Sequence, residues 1–219
     1  VKFVDRTFNC NRQRAIDIWS YLVEHDNGIT NFHFEISSDL LGEEELELFA
    51  KKHIDGHAPG ITGKAVQAYR LAGVENDHEC ATSEEVLDKL RAGFHIYIRE
   101  GSGAKNLETL IRTLLDANVA LDQCAFCTDD KHIEEIRKEG HISTCIRKAI
   151  ALGVPVAKAY KMGSYQAAEF YGLKNYGAIG AGYRADIVFL DDLEQVRPLD
   201  VMKDGRILTE EDYAKDYSV

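Results

Sequence analysis

Positive charge is scarce in this sequence. Its 26 basic side chains face 37 acidic ones, and the formal net charge is −11. A surface so acidic repels phosphate backbones, which argues against nucleic acid as a partner. Long hydrophobic runs are missing as well. No apolar stretch approaches the roughly 18 residues of a membrane-spanning helix, and no leader pattern is present. A soluble, cytoplasmic protein without membrane contact is expected. Cysteine occurs five times, at Cys10, Cys80, Cys124, Cys127 and Cys145, an odd number without framework spacing. Reduced thiols are expected rather than disulfides. Low-complexity segments and obvious linkers are also absent.

What is present is a globular composition, 45% hydrophobic over 219 residues. That length suits one α/β domain, or a domain with a small appendage. The pattern along the chain is short strand, loop, amphipathic helix, repeated. Strands are expected at 2–6, 31–36, 53–57, 73–78, 94–99 and 122–128. Between the first two, residues 12–24 read as a helix with Ala15, Ile18, Trp19 and Leu22 on one face. Helices are also expected at 43–51 and 63–72. Thr82 and Glu85 form a capping box, and Val86, Leu87 and Leu90 make the buried stripe of the helix that follows. Leu107, Leu110, Ile111, Leu114 and Leu115 follow the i, i+3, i+4, i+7, i+8 spacing of an amphipathic helix. Further helices are expected at 142–152, 155–162 and 164–171. Gly177, Gly180 and Gly182 then punctuate a loop, and 185–190 and 201–208 read as two paired strands.

Strand followed by helix, six times over, favours parallel pairing. The fold class expected is α/β: a parallel (βα) barrel or partial barrel of about six strands, with a small C-terminal β appendage. A doubly wound open sheet is the alternative, but no glycine-rich loop follows the first strand. With fewer strands than a closed barrel needs, the free edges invite self-association into a homo-oligomer.

Polar residues gather where such a barrel would use them. His57, His78, Arg99-Glu100 and Asp129-Asp130 each fall at the C-terminal end of an expected strand, the face on which barrel active sites are built. From 57 to 78 and from 78 to 99 the spacing is 21 residues each time. Two imidazoles and a carboxylate converging there suit a divalent ion. A metal at that place lowers the pKa of a bound water, and a neighbouring carboxylate can move protons.

The segments around these residues are His53-Ile54-Asp55-Gly56-His57-Ala58-Pro59-Gly60, Asn76-Asp77-His78-Glu79-Cys80, Ile98-Arg99-Glu100-Gly101-Ser102 and Cys127-Thr128-Asp129-Asp130. Glu139-Gly140-His141-Ile142 and the stretch Gly177-Ala178-Ile179-Gly180-Ala181-Gly182-Tyr183-Arg184-Ala185-Asp186-Ile187-Val188 follow. In this order, over about residues 50–208, the set resembles the later barrel strands of adenine deaminases in the amidohydrolase superfamily. The resemblance implies metal-dependent hydrolysis of adenine to hypoxanthine and ammonia, with a small purine as substrate and Mn²⁺, Fe²⁺ or Zn²⁺ as the ion. It assigns His57, His78 and Asp129 to the metal. It gives Asp129, Glu79 and His78 catalytic roles, and places Arg99, Glu100 and Ser102 near the substrate. Glu79 and Asp130 would orient the ligands.

The departures from that family are informative. The His-x-His pair of its first strand and the further ligand of its fourth are not found here, so metal binding is expected to be weak and activity impaired. A non-catalytic βα scaffold is the alternative. His33-Phe34-Glu35 resembles the His-x-Glu of cytidine-type zinc deaminases, but the companion Pro-Cys-x-x-Cys is missing. Cys124-Ala125-Phe126-Cys127 reads as core thiols. Residues 1–49, through Val1-Lys2-Phe3-Val4-Asp5-Arg6-Thr7-Phe8-Asn9 and Asn31-Phe32-His33-Phe34-Glu35-Ile36, resemble a radical SAM enzyme of the cobalamin-binding type. That likeness would put Glu35 near the SAM. The Cys-x-x-x-Cys-x-x-Cys motif is missing, so no iron–sulfur cluster is expected. The organisation expected is then a mosaic: 1–49, 50–176 as the second half of a barrel, and 177–219 as appendage and tail.

Overall fold

The computed structural model describes residues 3, 7–25, 32, 34–37, 40–49 and 55–213. The chain divides into two compact units, residues 1–54 with 71–74 and residues 55–70 with 75–219.

In the first unit, helix α1 (Arg12–Glu24) starts at Asn11, whose side chain accepts from the Arg14 amide. Its buried face is Ala15, Ile16 and Trp19, with Ile18 half-buried. Phe8, Ala15 and Trp19 form a core against Phe3, Phe34 and Leu48. The rings of Phe3 and Phe34 stack at 4.5 Å. Helix α2 (Glu43–Phe49) brings Glu45 to Arg12, Nε to Oε1 at 2.6 Å. The strands expected at 2–6 and 31–36 lie largely outside the described residues. Phe3 and residues 34–36 are described and are not in strands. The Phe8 amide nevertheless donates to the Glu35 carbonyl at 3.0 Å.

The second unit holds α3 (Lys64–Leu71) as far as Arg70, β1 (Asn76–Asp77), α4 (Ser83–Arg91), β2 (His95–Arg99), α5 (Leu107–Asp116) and β3 (Cys124–Cys127). The three strands pair in parallel in the order β1-β2-β3, with Asp77 beside Ile96 and Arg99 beside Cys127. Parallel pairing at these three of the expected strands matches the strand–helix alternation. At the expected strand 53–57, residues 53 and 54 lie outside the described residues, and Asp55–His57 is irregular. There the amides of Gly56 and Ala58 donate to the side chains of Asn76 and Asp77.

Packing follows the sequence pattern with two corrections. Leu107, Leu110, Ile111 and Leu114 of α5 are buried, each contributing about 1.5–3 kcal/mol relative to an exposed position. In α4 the buried residues are Glu85, Val86, Lys89 and Leu90, while Leu87 is half-buried. The stripe therefore includes a lysine that periodicity alone would place in solvent. Strand β2 alternates polar and apolar residues yet is buried on both faces from Ile96 to Arg99. The reason is a second cover: Phe170 lies 3.8 Å from the His95 ring and Tyr171 stacks on Tyr97 at 5.5 Å.

Helices α6 (Ile133–Glu139), α7 (Ile142–Ala151), α8 (Val156–Gly163) and α9 (Tyr165–Phe170) follow. Helix α6 was not anticipated. It is short, with no residue buried, so it leaves no apolar stripe to read. A small antiparallel sheet of β4 (Ile187–Asp192), β5 (Arg197–Lys203) and β6 (Arg206–Ile207) comes next, then α10 (Glu210–Tyr213). The strand expected at 201–208 is two strands. Asp204 and Gly205 between them have φ of +50° and +79°, the two left-handed residues of a tight hairpin turn. Among the described residues no helix is long and apolar enough to cross a membrane.

Candidate metal centre

The parallel register sets the place. β1 ends at Asp77, β2 at Arg99 and β3 at Cys127, so His78-Glu79, Arg99-Glu100 and Thr128-Asp129-Asp130 leave neighbouring strands at the same end. One ligand atom each from His57, His78 and Glu79 lie within 4.8 Å of one another. Glu79 Oε1 is 3.4 Å from His57 Nδ1 and 3.5 Å from His78 Nε2. The two imidazole rings are 5.5 Å apart, tilted by 60°. Asp55 Oδ1 lies 4.0 Å from His78 Nδ1. Exposure falls from 69% for the His57 side chain to 21% for His78 and 14% for Glu79, so the group opens to solvent on the His57 side. Two imidazole nitrogens and a carboxylate at such separations fit a divalent ion of the zinc, iron or manganese type.

Arg99 organises the carboxylates. Its guanidinium grips Glu79 with both ends, Nη1 to Oε1 at 2.5 Å and Nη2 to Oε2 at 3.0 Å. The same Nη1 donates to Asp129 Oδ2 at 2.8 Å. Burial opposes the charge on Arg99, but its bonds to Glu79 and Asp129 prevail and its pKa lies above the ordinary value. Its Nε donates to Asn106 Oδ1 at 3.3 Å. Asn106 stands at the N-cap of α5 without capping it, which leaves its side chain for Arg99. Asp129 itself has φ +46°, a left-handed conformation that short polar side chains tolerate.

The residues expected at the site thus separate. His57, His78 and Glu79 come together, while Asp129 reaches them through Arg99. Glu100 is buried and accepts from Lys148 Nζ at 2.6 Å. The Ser102 hydroxyl donates to Glu135 and accepts from the His132 amide. Asp130 accepts from the amides of Ser102 and Gly103, which ties the loop after β2 to the loop after β3. A Cβ on Gly101 would stand 1.7 Å from Asp130 Oδ1, so this junction requires glycine. Cys124 and Cys127 lie in β3, and burial pushes the Cys124 thiol up to about 12 and the Cys127 thiol higher. Such thiols are poor ligands and nucleophiles.

Sequence reasoning passed over Asn76, Asp77 and Lys89. All three are polar and buried. The available signal was two polar residues inside a strand directly before His78.

Comparison with known proteins gives a family. The amidohydrolase family matches residues 41–208, a span that begins inside the stretch expected to follow another family. The adenine deaminase of Desulfitobacterium hafniense is 46% identical over 162 residues, which is 72% of this chain and 28% of that protein. The adenine deaminase of Gluconobacter oxydans is 47% identical over 168 residues, 76% of this chain and 29% of that protein. The chain therefore spans about three-tenths of the length of these curated relatives. Among solved structures, a β-aspartyl dipeptidase from Fervidobacterium islandicum shares the fold at a TM-score of 0.60 and 18% identity, covering 95% of this chain and 65% of the dipeptidase.

Proposed function

The chain belongs to the amidohydrolase family, a superfamily of barrel-type, metal-using hydrolases, and on that premise we propose that it forms the later part of a centre that hydrolyses adenine to hypoxanthine and ammonia. The observation that carries this reading is the meeting of His57, His78 and Glu79 in a chain so similar to adenine deaminases. The finer fold goes with it: β1, β2 and β3 as neighbouring strands of an incomplete parallel barrel, completed by further chain or by a second copy. The cytoplasm suits such a centre, since its cysteines are free thiols.

His57 and His78 would hold a divalent ion together with a carboxylate from Glu79 or Asp129. When bound, that ion supplies Lewis acidity and makes water a stronger acid. The remaining chemistry falls to the chain's own side chains. Asp129 is the proposed proton carrier, taking a proton from the attacking water and returning it to the leaving amino nitrogen. Arg99 fixes Asp129 and Glu79 through one guanidinium, so the two carboxylates keep one geometry. Glu100 and Ser102 shape the substrate side by fixing the loop that follows β2, through Lys148 and Glu135.

No His-x-His occurs in the 219 residues, so these residues alone are expected to bind metal weakly and turn adenine over slowly. Misplacing a reacting group by about 1 Å costs on the order of 10²-fold, and a deficit of at least that size against a full-length relative is expected. Mn²⁺ titration calorimetry and an ammonia-release assay test this. Mn²⁺ affinity should fall about 10-fold or more in His57→Ala and in His78→Ala. Affinity indifferent to both substitutions sinks the site and favours the non-catalytic scaffold. Brisk turnover abolished by Asp129→Asn would instead show that these residues suffice.

A further inference from the structure

We propose that Asn76, Asp77 and Lys89 are positioning residues that hold the His57 turn at a set distance from His78; the inference deepens the metal-centre reading and rests on it. The turn carrying His57 is irregular in its described part, Asp55–Gly60. Its backbone groups are gripped by side chains on both sides of His57. The Gly56 amide donates to Asn76 Oδ1 at 2.8 Å, and the Ala58 amide to Asp77 Oδ1 at 3.1 Å. Lys89 Nζ donates to the Ala58 carbonyl and to Asp77 Oδ2, each at 2.7 Å. Asn76 and Asp77 are β1 itself, and His78 is the next residue. The two histidines are therefore tied to one two-residue strand, each a single residue from the nearest bond of the clamp.

Burial shows how unusual this arrangement is. Asp77 and Lys89 are both 0% exposed. A buried ion pair is weak evidence for stability, since well-packed apolar residues of like volume often do as well or better. Lys89 lies in the buried face of α4, between Val86 and Leu90, where an apolar side chain would suit packing. What an apolar residue could not do is bond the Ala58 carbonyl and orient Asp77 toward the Ala58 amide. The clamp replaces a backbone ladder with side-chain bonds, satisfying buried amides while leaving the His57 ring directed by the turn.

The test uses the whole chain, with Zn²⁺ as the probe. Asn76→Ala removes one uncharged grip. Asp77→Asn/Lys89→Met removes both buried charges together and keeps an acceptor for the Ala58 amide, which guards against unfolding. Each is expected to lower Zn²⁺ affinity about 10–100-fold. In a His57→Ala background the further loss from Asn76→Ala should shrink to less than about twofold, because the clamp acts through His57. An equal loss in both backgrounds overturns the proposal. A second readout needs no metal: nitrogen-15 relaxation of the Gly56–Ala58 backbone in the metal-free chain. Asn76→Ala should loosen it, and an unchanged backbone overturns the proposal whatever the metal does. If the unsubstituted chain has no Zn²⁺ affinity, the metal reading falls, and the relaxation result alone decides the clamp.

Discussion

Arg99 shows how one side chain can decide whether a polar cluster is a site or a liability. Glu79 and Asp129 come from different strand ends, and without a cation between them they would be neighbouring carboxylates with no reason to converge. The guanidinium provides the reason: it is planar, permanently charged and able to serve three acceptors at once. Lysine in its place keeps the charge but not the fork. Arg99→Lys is expected to cost about 1–3 kcal/mol in urea unfolding, the scale of losing hydrogen bonds to charged partners. It should also weaken Mn²⁺ binding while His57 and His78 stay intact. Unchanged stability together with unchanged Mn²⁺ affinity would show that the three-way bond has no consequence.

At the scale of an element, α4 is organised by its first turn. Thr82 caps it, and Glu85 closes the capping box by accepting from the Thr82 amide at 2.9 Å. The same carboxylate accepts from the Gly60 amide at 2.5 Å and the Ala81 amide at 3.1 Å. One glutamate thus starts a helix and pins the loop beyond the His57 turn. Burial opposes the Glu85 charge, but the Gly60 amide, the Thr82 hydroxyl and the neighbouring amides prevail, so its pKa lies below the ordinary value. The sign follows from that direction. Its stabilisation is complete above the unfolded value of about 4.3 and is lost as pH falls through the lower native value. Glu85→Gln should cost about 0.5–2 kcal/mol at neutral pH, the range for a lost cap. That difference from the parent should shrink toward pH 3. Urea midpoints measured at pH 7, 4 and 3 check it, and a constant difference would assign the effect to shape rather than charge.

For the whole molecule, the division into two units makes a prediction about cooperativity. The chain has a single tryptophan. Trp19 is 4% exposed and packs beside Phe8, with ring centroids 5.6 Å apart, in the core of the first unit. Its fluorescence therefore reports that unit alone. Far-UV circular dichroism is dominated by the second unit, which among the described residues carries most of the helices and the strands of both sheets. Urea unfolding followed by the two signals is expected to give separate midpoints, since coincident transitions are the mark of a single two-state unit. Coincidence would mean that the two units unfold together.

Much of this was legible in the residues themselves. Periodicity placed α5, the capping box placed α4, and the repeated strand–helix grammar implied the parallel pairing of β1, β2 and β3. His57 and His78 stood out because strand ends are where a βα fold exposes chemistry. These are local features, set by side-chain pattern within a dozen residues. The structure decided what depends on residues far apart in the chain. Glu79 lies against the two histidines, and Asp129, 30 residues from Arg99 in the chain, is joined to Glu79 through the shared Arg99 guanidinium. Lys89 entered the core because Ala58, 31 residues earlier, presents a carbonyl there. Strand β2 was buried on both faces because Phe170 and Tyr171 return to cover it. In each case the partner is chosen by three-dimensional proximity, and a one-dimensional pattern carries no record of which distant group will arrive to satisfy a buried charge or a bare face.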